Sequence, residues 1–407
     1  MDPGNLTGPR LLAQPKTVRD RVARSLRGFS APSNGRPASG IPAFGAKVPW
    51  GRPLDPWAVR FFIVDVIGGH DVGRDEKQAW AAPLEMDGTL IWFAFRKFGV
   101  SATVYGVETQ EAAVDIVADC MQRMSKAIPV VTRDLLEPLI AEAVTRGDFT
   151  VPNKFGYFHD MYSHLRLLAE GTAARAAVSK PVSETHDDGG VSTHFAGAAL
   201  ARNAEFEAIG SLFALFSLLE HLLVIGLAFT EYDPLQEPFG EFLRLNWGEK
   251  FKRVVGLNDK HDKHVYDKLR LLADENRNPS AHGGVDRNVA NVHVHLAGYG
   301  AVPTGVTSTS QRLTYTFEPE LPASIFPFAD YHFFGGSDDG WKAVDEVLAW
   351  MRSGPLADAF TYGASSLPVW FDSDSRKALR VAAAAGELQE FMERRSFMID
   401  QAANMDW

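Results

Sequence analysis

The segment Glu275–Gly284 reads ENRNPSAHGG and follows HVYDKLRLLAD, a run with the apolar spacing of a helix. Pro279 disfavours helical geometry at Asn278, and the Gly283–Gly284 pair accepts the left-handed conformation of a helix end, so these residues account for the stop. They leave Arg277 and His282 unexplained. Arginine offers a planar fork of donors that suits phosphate oxygens, and histidine gains or loses a proton near neutrality. Residues of these two types, brought together, could hold an anionic group and move a proton beside it.

A carboxylate elsewhere raises a related question. Residues 211–229, SLFALFSLLEHLLVIGLAF, are almost long enough to span a bilayer, yet Glu220 and His221 fall at the centre of the run. A carboxylate at that depth in lipid costs about 2.5–3.5 kcal/mol or more. No second such segment exists, so the expectation is a helix buried in the middle of a bundle. An ionised Glu in an apolar interior needs a partner. The partner proposed from sequence is the Arg277/His282 pair, with Glu220 close enough to Arg277 for a charge-assisted hydrogen bond. Two readings stay open: a structural bridge pinning two helices, or a bridge that orients an arginine at an active site.

Other constellations carry less. His159 and His164 do not share a helical face closely, and His261, Asp262 and His264 sit in the hydrophilic NDKHDKH, where a solvated surface is expected. His293 and His295 alternate with Val292, Val294 and Leu296, which puts both on one face of a strand. FDSDSR and GSDDG could ligate a hard cation but lack the remaining loop pattern for calcium. No phosphate loop, HExxH, nucleophile elbow or dinucleotide fingerprint is present. Cys120 is the single cysteine, which excludes a disulfide framework and a multi-cysteine zinc site and suits a reducing cytoplasm.

These residues need elements to position them. With 407 residues, 45% apolar and 11% aromatic, the chain is long enough for two or three domains with a real core. The net charge of −10 argues against a uniformly basic nucleic-acid binder, yet residues 1–52 hold nine Lys/Arg against Asp2 and Asp20. That opening is rich in Gly, Pro, Ser and Ala, so residues 1–55 read as a disordered basic arm in preference to a targeting segment. Next, WAVRFFIVDVIG, TLIWFAFRKFG and SATVYGV read as strands. TQEAAVDIVADCMQRMSKA and TRDLLEPLIAEAVTRG read as helices, the second with Asp134 and Glu137 as a capping pair and Gly147 at its end. A further helix is expected in GYFHDMYSHLRLLAEGTAARAA, closing an N-terminal α/β region over 56–180. The polar, Gly-containing stretch 181–199 reads as a linker and the main domain boundary. Beyond the motif, ANVHVHLAGYGAVPTGVTSTSQRLTYTFEPEL holds at least one β-hairpin, and DDGWKAVDEVLAWMRSGPL and SDSRKALRVAAAAGELQEFMERRSFMIDQAAN are helical.

The pattern Arg277, Asn278 and His282 at the end of a helical hairpin resembles the Arg-x(4–6)-His motif of the HEPN superfamily, the higher eukaryotes and prokaryotes nucleotide-binding domains. The wider segment, with FSLLEHLLV, FTEYDP, NWGEKFKRVVGL, YDKLRLLADENRNPSAHGG and VHVHLAG, looks like an uncharacterised bacterial HEPN-like group over roughly residues 200–300. The resemblance implies a helical bundle that dimerises so that two motifs face each other. It implies metal-independent RNA cleavage in active members, with His282 moving the proton of the 2′-hydroxyl, Arg277 stabilising the phosphorane, Glu220 holding Arg277, and Asn278 bonding phosphate or fixing the tautomer of His282. Pro279 inside the motif departs from members in which it is fully helical.

The expectation is therefore an α+β protein: a central HEPN-like helical bundle over 200–290, flanked by small β elements, with a β-hairpin and C-terminal helices over 291–407 packing on the bundle. Its expected function is a HEPN-like metal-independent endoribonuclease, a toxin or defence protein acting on RNA as a cytoplasmic homodimer, with no cofactor, no metal and no membrane. The alternative is a non-catalytic HEPN-like binding or assembly module.

Overall fold

The computed structural model describes residues 8–32, 40–48, 55–73, 78–97, 99–194, 196–278, 289–297, 300–309, 312–317 and 338–404. The fold is α+β and divides into two units, Met1–Asp148 with Glu393–Trp407, and Phe149–Met392. The boundary therefore precedes the long helix starting at Phe155 and does not fall in 181–199.

The first unit opens with helices α1 (Pro9–Leu12) and α2 (Lys16–Ser25), then strands β1 (Phe29–Ser30) and β2 (Ala43–Lys47). The described part of the opening is thus folded, which corrects the expectation of a disordered arm. Leu11, Val22, Leu26 and Phe29 are buried, and Gly8 passes so close to Val66 that a Cβ would stand 2.2 Å from its carbonyl oxygen. The segment's few apolar residues suffice because Val22 and Leu26 share one helical face. Strand pairing, for its part, requires backbone and not large side chains. Strands β3 (Gln78–Met86), β4 (Thr89–Arg96) and β5 (Gly99–Tyr105) complete an antiparallel sheet of order β1-β3-β4-β5-β2. Its β2 edge runs from Ala43 opposite Tyr105 to Lys47 opposite Ser101. Val100, Ala102 and Val104 alternate into the core, the period-2 pattern of a strand with one packed face.

WAVRFFIVDVIG is not a strand. Asp55 accepts hydrogen bonds from the Trp57 and Ala58 backbone N–H groups, Pro56 occupies the first helical position, and α3 (Pro56–Arg60) runs on as a wider winding through Ile67. Val59, Phe62, Ile63, Val66 and Ile67 are all buried, an i, i+3, i+4, i+7, i+8 stripe that overrides the residues' β propensity. The winding closes at Gly68, φ 97°, whose N–H reaches Ile63 O. Helix α4 (Gln110–Val131) is capped by Thr109, which accepts from the Ala112 N–H at 3.2 Å, and it continues through a wider turn at Thr132–Leu136 into α5 (Glu137–Arg146). Asp134 therefore caps nothing; it accepts from Arg21 Nε at 2.5 Å and Arg133 Nε at 2.7 Å. Gly147, φ 82°, ends α5 as expected.

The second unit starts with β6 (Thr150–Val151) and α6 (Phe155–Val178), which packs along α7 (Ala196–Leu227). The stretch between them is a small hairpin, β7 (Val182–Thr185) and β8 (Val191–His194), so it links two arms of one bundle and separates no domains. Helix α7 is long and apolar enough to cross a membrane, but most of it is buried inside the bundle, Leu212 to Leu227 above all. Around it stand α8 (Phe239–Arg244), α9 (Trp247–Val254) and α10 (Lys260–Leu272). Gly226 marks a close approach, since a Cβ there would meet Val254 at 2.9 Å and Leu356 at 3.1 Å. Strands β9 (Val289–Leu296), β10 (Gly300–Thr309) and β11 (Arg312–Phe317) form an antiparallel sheet of three, one strand more than a single hairpin. Helices α11 (Asp338–Ser353) and α12 (Ala357–Ala364), strand β12 (Val369–Trp370) and helices α13 (Ser373–Ala385) and α14 (Leu388–Asn404) follow. Trp350 on α11 donates to Asp262 Oδ1 on α10 at 2.8 Å and stacks on Phe251 of α9 with centroids 5.3 Å apart.

Candidate functional site

From Ser211 to Leu227 helix α7 is buried along most of its circumference but leaves Phe213, Ser217, Glu220 and His221 half-buried. These stand at i, i+4, i+7 and i+8, so they form one stripe. Lys250 of α9 reaches that stripe, with Nζ 2.8 Å from Glu220 Oε2. Its side chain is 7% exposed against 33% for Glu220, so the lysine is the deeper member of the pair. The expected Glu220–Arg277 bridge is not formed. Lys250 is held in place because α9 carries Trp247, Lys250, Phe251 and Val254 on its inward face, with Asn246 capping the helix by accepting from the Glu249 N–H at 3.0 Å.

Arg277 ends the described winding of α10. There the helix widens over Ala273–Arg277, a form in which backbone irregularity commonly coincides with function. Its guanidinium carbon lies 5.1 Å from the centroid of Phe216 and 5.9 Å from that of Phe213, one and two turns of α7 before Glu220. Such stacking contributes about 0.5–2 kcal/mol. Nε of Arg277 is buried without a hydrogen-bond partner. Among the described residues no carboxylate pairs with this guanidinium.

Asn278 keeps helical geometry, φ −68° and ψ −45°, and its amide donates to Asp274 Oδ1 at 3.0 Å, one turn back. That donor is therefore engaged within its own helix. His282, together with Pro279 and the Gly pair, lies outside the described residues. His221, beside Glu220, accepts at Nε2 from the Lys154 backbone N–H at 2.9 Å, and burial pushes its pKa down to about 4. It is a neutral acceptor near the start of α6.

The remaining sequence candidates separate. Asp262 is buried against Trp350, while His261 and His264 are exposed on α10. Asp372 of FDSDSR caps α13 by accepting from the Ser375 N–H at 2.8 Å. Among the described residues no group of three His, Cys, Asp or Glu side chains is placed to hold a metal ion. Sequence reasoning missed Lys250, Phe213 and Phe216. A signal for Lys250 existed, since in NWGEKFKRVV it stands at i+3 from Trp247, on the apolar face and not the polar one.

Fold and site together define an α+β protein with a helical bundle whose central helix meets Lys250 of α9 at Glu220 and the Arg277 guanidinium at Phe213 and Phe216. No protein-family model, curated protein or solved structure matches the chain.

Proposed function

We propose that the Phe149–Met392 unit is a HEPN-like endoribonuclease that cleaves RNA without a metal, working as a homodimer in the cytoplasm as a toxin or defence protein. The observation that supports this most is the state of Arg277: it lies against the rings of Phe213 and Phe216, its Nε has no hydrogen-bond partner, and among the described residues no carboxylate pairs with it, which leaves its charge to meet a phosphate. In this reading the 2′-oxygen attacks the adjacent phosphorus as the P–O5′ bond breaks. One proton leaves the 2′-hydroxyl and one is delivered to the 5′-oxygen. His282 of the two protomers carries them, and Arg277 holds the non-bridging oxygens. Glu220 acts through Lys250 in setting the stripe on α7, and Asn278 acts as a brace on the helix end.

Single-stranded RNA incubated with purified protein in excess EDTA is the test. The expected result is cleavage that leaves a 2′,3′-cyclic phosphate and vanishes when the 2′-hydroxyl 5′ of the cut is replaced by hydrogen. Cleavage only with added magnesium, or undiminished cleavage by His282→Ala, overturns the reading. Absence of cleavage by wild type, with intact folding and dimerisation, favours the assembly module.

A further inference from the structure

The described part of the chain's basic opening is folded and presents a surface. On α2, Val22 and Leu26 face the core, while Lys16, Arg24 and, in the turn after the helix, Arg27 face solvent. Arg21 is committed to Asp134, whereas Lys16, Arg24 and Arg27 are in no ion pair among the described residues. Arg24 only returns one donor, Nε, to the Asp20 carbonyl at 3.2 Å. Asp20 is the single acidic residue of the helix; it is exposed at i+4 from Lys16 and i−4 from Arg24, so the face carries three cations around one carboxylate. Lys16 stands at the first helical position, where no acid occupies the first turn and Pro15 supplies no side-chain cap. A cation there opposes the helix dipole.

We infer that this face of α2 is a docking surface for the backbone of single-stranded RNA, gripped by Lys16, Arg24 and Arg27. The choice of RNA as the polyanion rests on the ribonuclease reading. The structure itself disfavours an anionic membrane, because Leu11, Val22 and Leu26, which a bilayer would need, are already buried in the protein's own core. Arg24 and Arg27 each present a planar fork suited to phosphate oxygens.

The test uses a fluorescent 2′-O-methyl oligoribonucleotide, which lacks the cleavable hydroxyl, so binding is read without catalysis. The full-length chain with Lys16→Gln, Arg24→Gln and Arg27→Gln is compared with wild type by anisotropy across a salt series. The expected loss is about tenfold or more in affinity at low salt, and the slope of log K against log salt falls by about 2, roughly 0.7 per lost phosphate contact. The variant with Arg24→Lys and Arg27→Lys keeps most of the slope, which separates charge from fold, and a thermal melt confirms folding of both. An unchanged slope in the glutamine variant, no binding by wild type, or binding to phosphatidylserine vesicles in place of RNA overturns the inference. RNA binding lost in the glutamine variant while wild type cleaves nothing keeps the surface and removes the ribonuclease. Wild-type cleavage with unaltered binding in the glutamine variant does the reverse.

Discussion

Lys250 Nζ meets Glu220 Oε2 at 2.8 Å, and this one contact explains how a carboxylate sits at the middle of the most apolar helix of the protein. The two members are unequally exposed, which sets the order of mutational cost. Glu220→Ala strands a lysine that is 7% exposed, whereas Lys250→Met leaves a carboxylate that water still reaches. Glu220→Ala is expected to cost about 2–4 kcal/mol in urea unfolding, the range for a buried charge left without its partner reduced for the exposed side of the pair, and Lys250→Met less. Combining Lys250→Met with Glu220→Gln recovers part of the loss, since a partner-free buried charge is worse than none. Equal costs for the two single variants would contradict the assigned depths.

Arg277 offers a second measurement. Arg277→Lys keeps the charge but loses the planar fork and most of the ring stacking, so RNA cleavage is expected to fall on the order of 10²-fold while folding is retained. His282→Ala is expected to lose on the order of 10²–10⁴ in rate. Phe213→Ala removes the half-buried ring beneath the guanidinium and should raise KM more than it lowers kcat. A melt that collapses in Arg277→Lys would mean that this arginine is structural.

His221 makes the fold pH-sensitive on the acid side. Its pKa is depressed by burial to about 4, below the unfolded value near 6.5, so the unfolded chain binds the proton first as pH falls. Stability from this group is complete above about pH 6.5 and is lost progressively toward pH 4, with a slope of at most about 1.4 kcal/mol per pH unit. His221→Gln should flatten that slope in urea titrations run between pH 4 and 7. An unaltered slope would show that the acid dependence belongs to other groups.

The N-terminal segment yields a prediction opposite to the one its composition invites. Deleting residues 1–55 removes strand β2 and buried Leu11, Val22, Leu26, Phe29, Ala46 and Val48, so the thermal midpoint of the first unit should fall sharply. The single change Leu26→Ala should cost about 2–4 kcal/mol. A deletion that leaves the midpoint unchanged would mean the segment is not part of the folded core.

What the sequence determined by itself is local. Helices α4 and α10 follow from apolar spacing at period 3.6, α7 from its almost unbroken apolar run, and strands β4 and β5 from β-branched and aromatic residues bounded by glycine, while Gly147 ends α5 in left-handed geometry. The run 56–67 carries its helical stripe openly, together with the Asp55–Pro56 start, although its Val, Ile and Phe content favours a strand. Tertiary structure decided everything that depends on which surfaces meet. It paired Glu220 with Lys250 instead of Arg277, gave Asp134 two arginines instead of a helix end, and set Arg277 on the rings of α7. It turned the stretch 181–199 from a boundary into the hairpin between two packed helices, and it folded the described part of the basic opening onto a core. The physical reason is the range of the interactions. Periodicity is imposed by the geometry of a few consecutive residues, whereas the partner of a charge or the burial of a sparse apolar stripe depends on chain segments tens of residues away, whose docking free energy no local window contains.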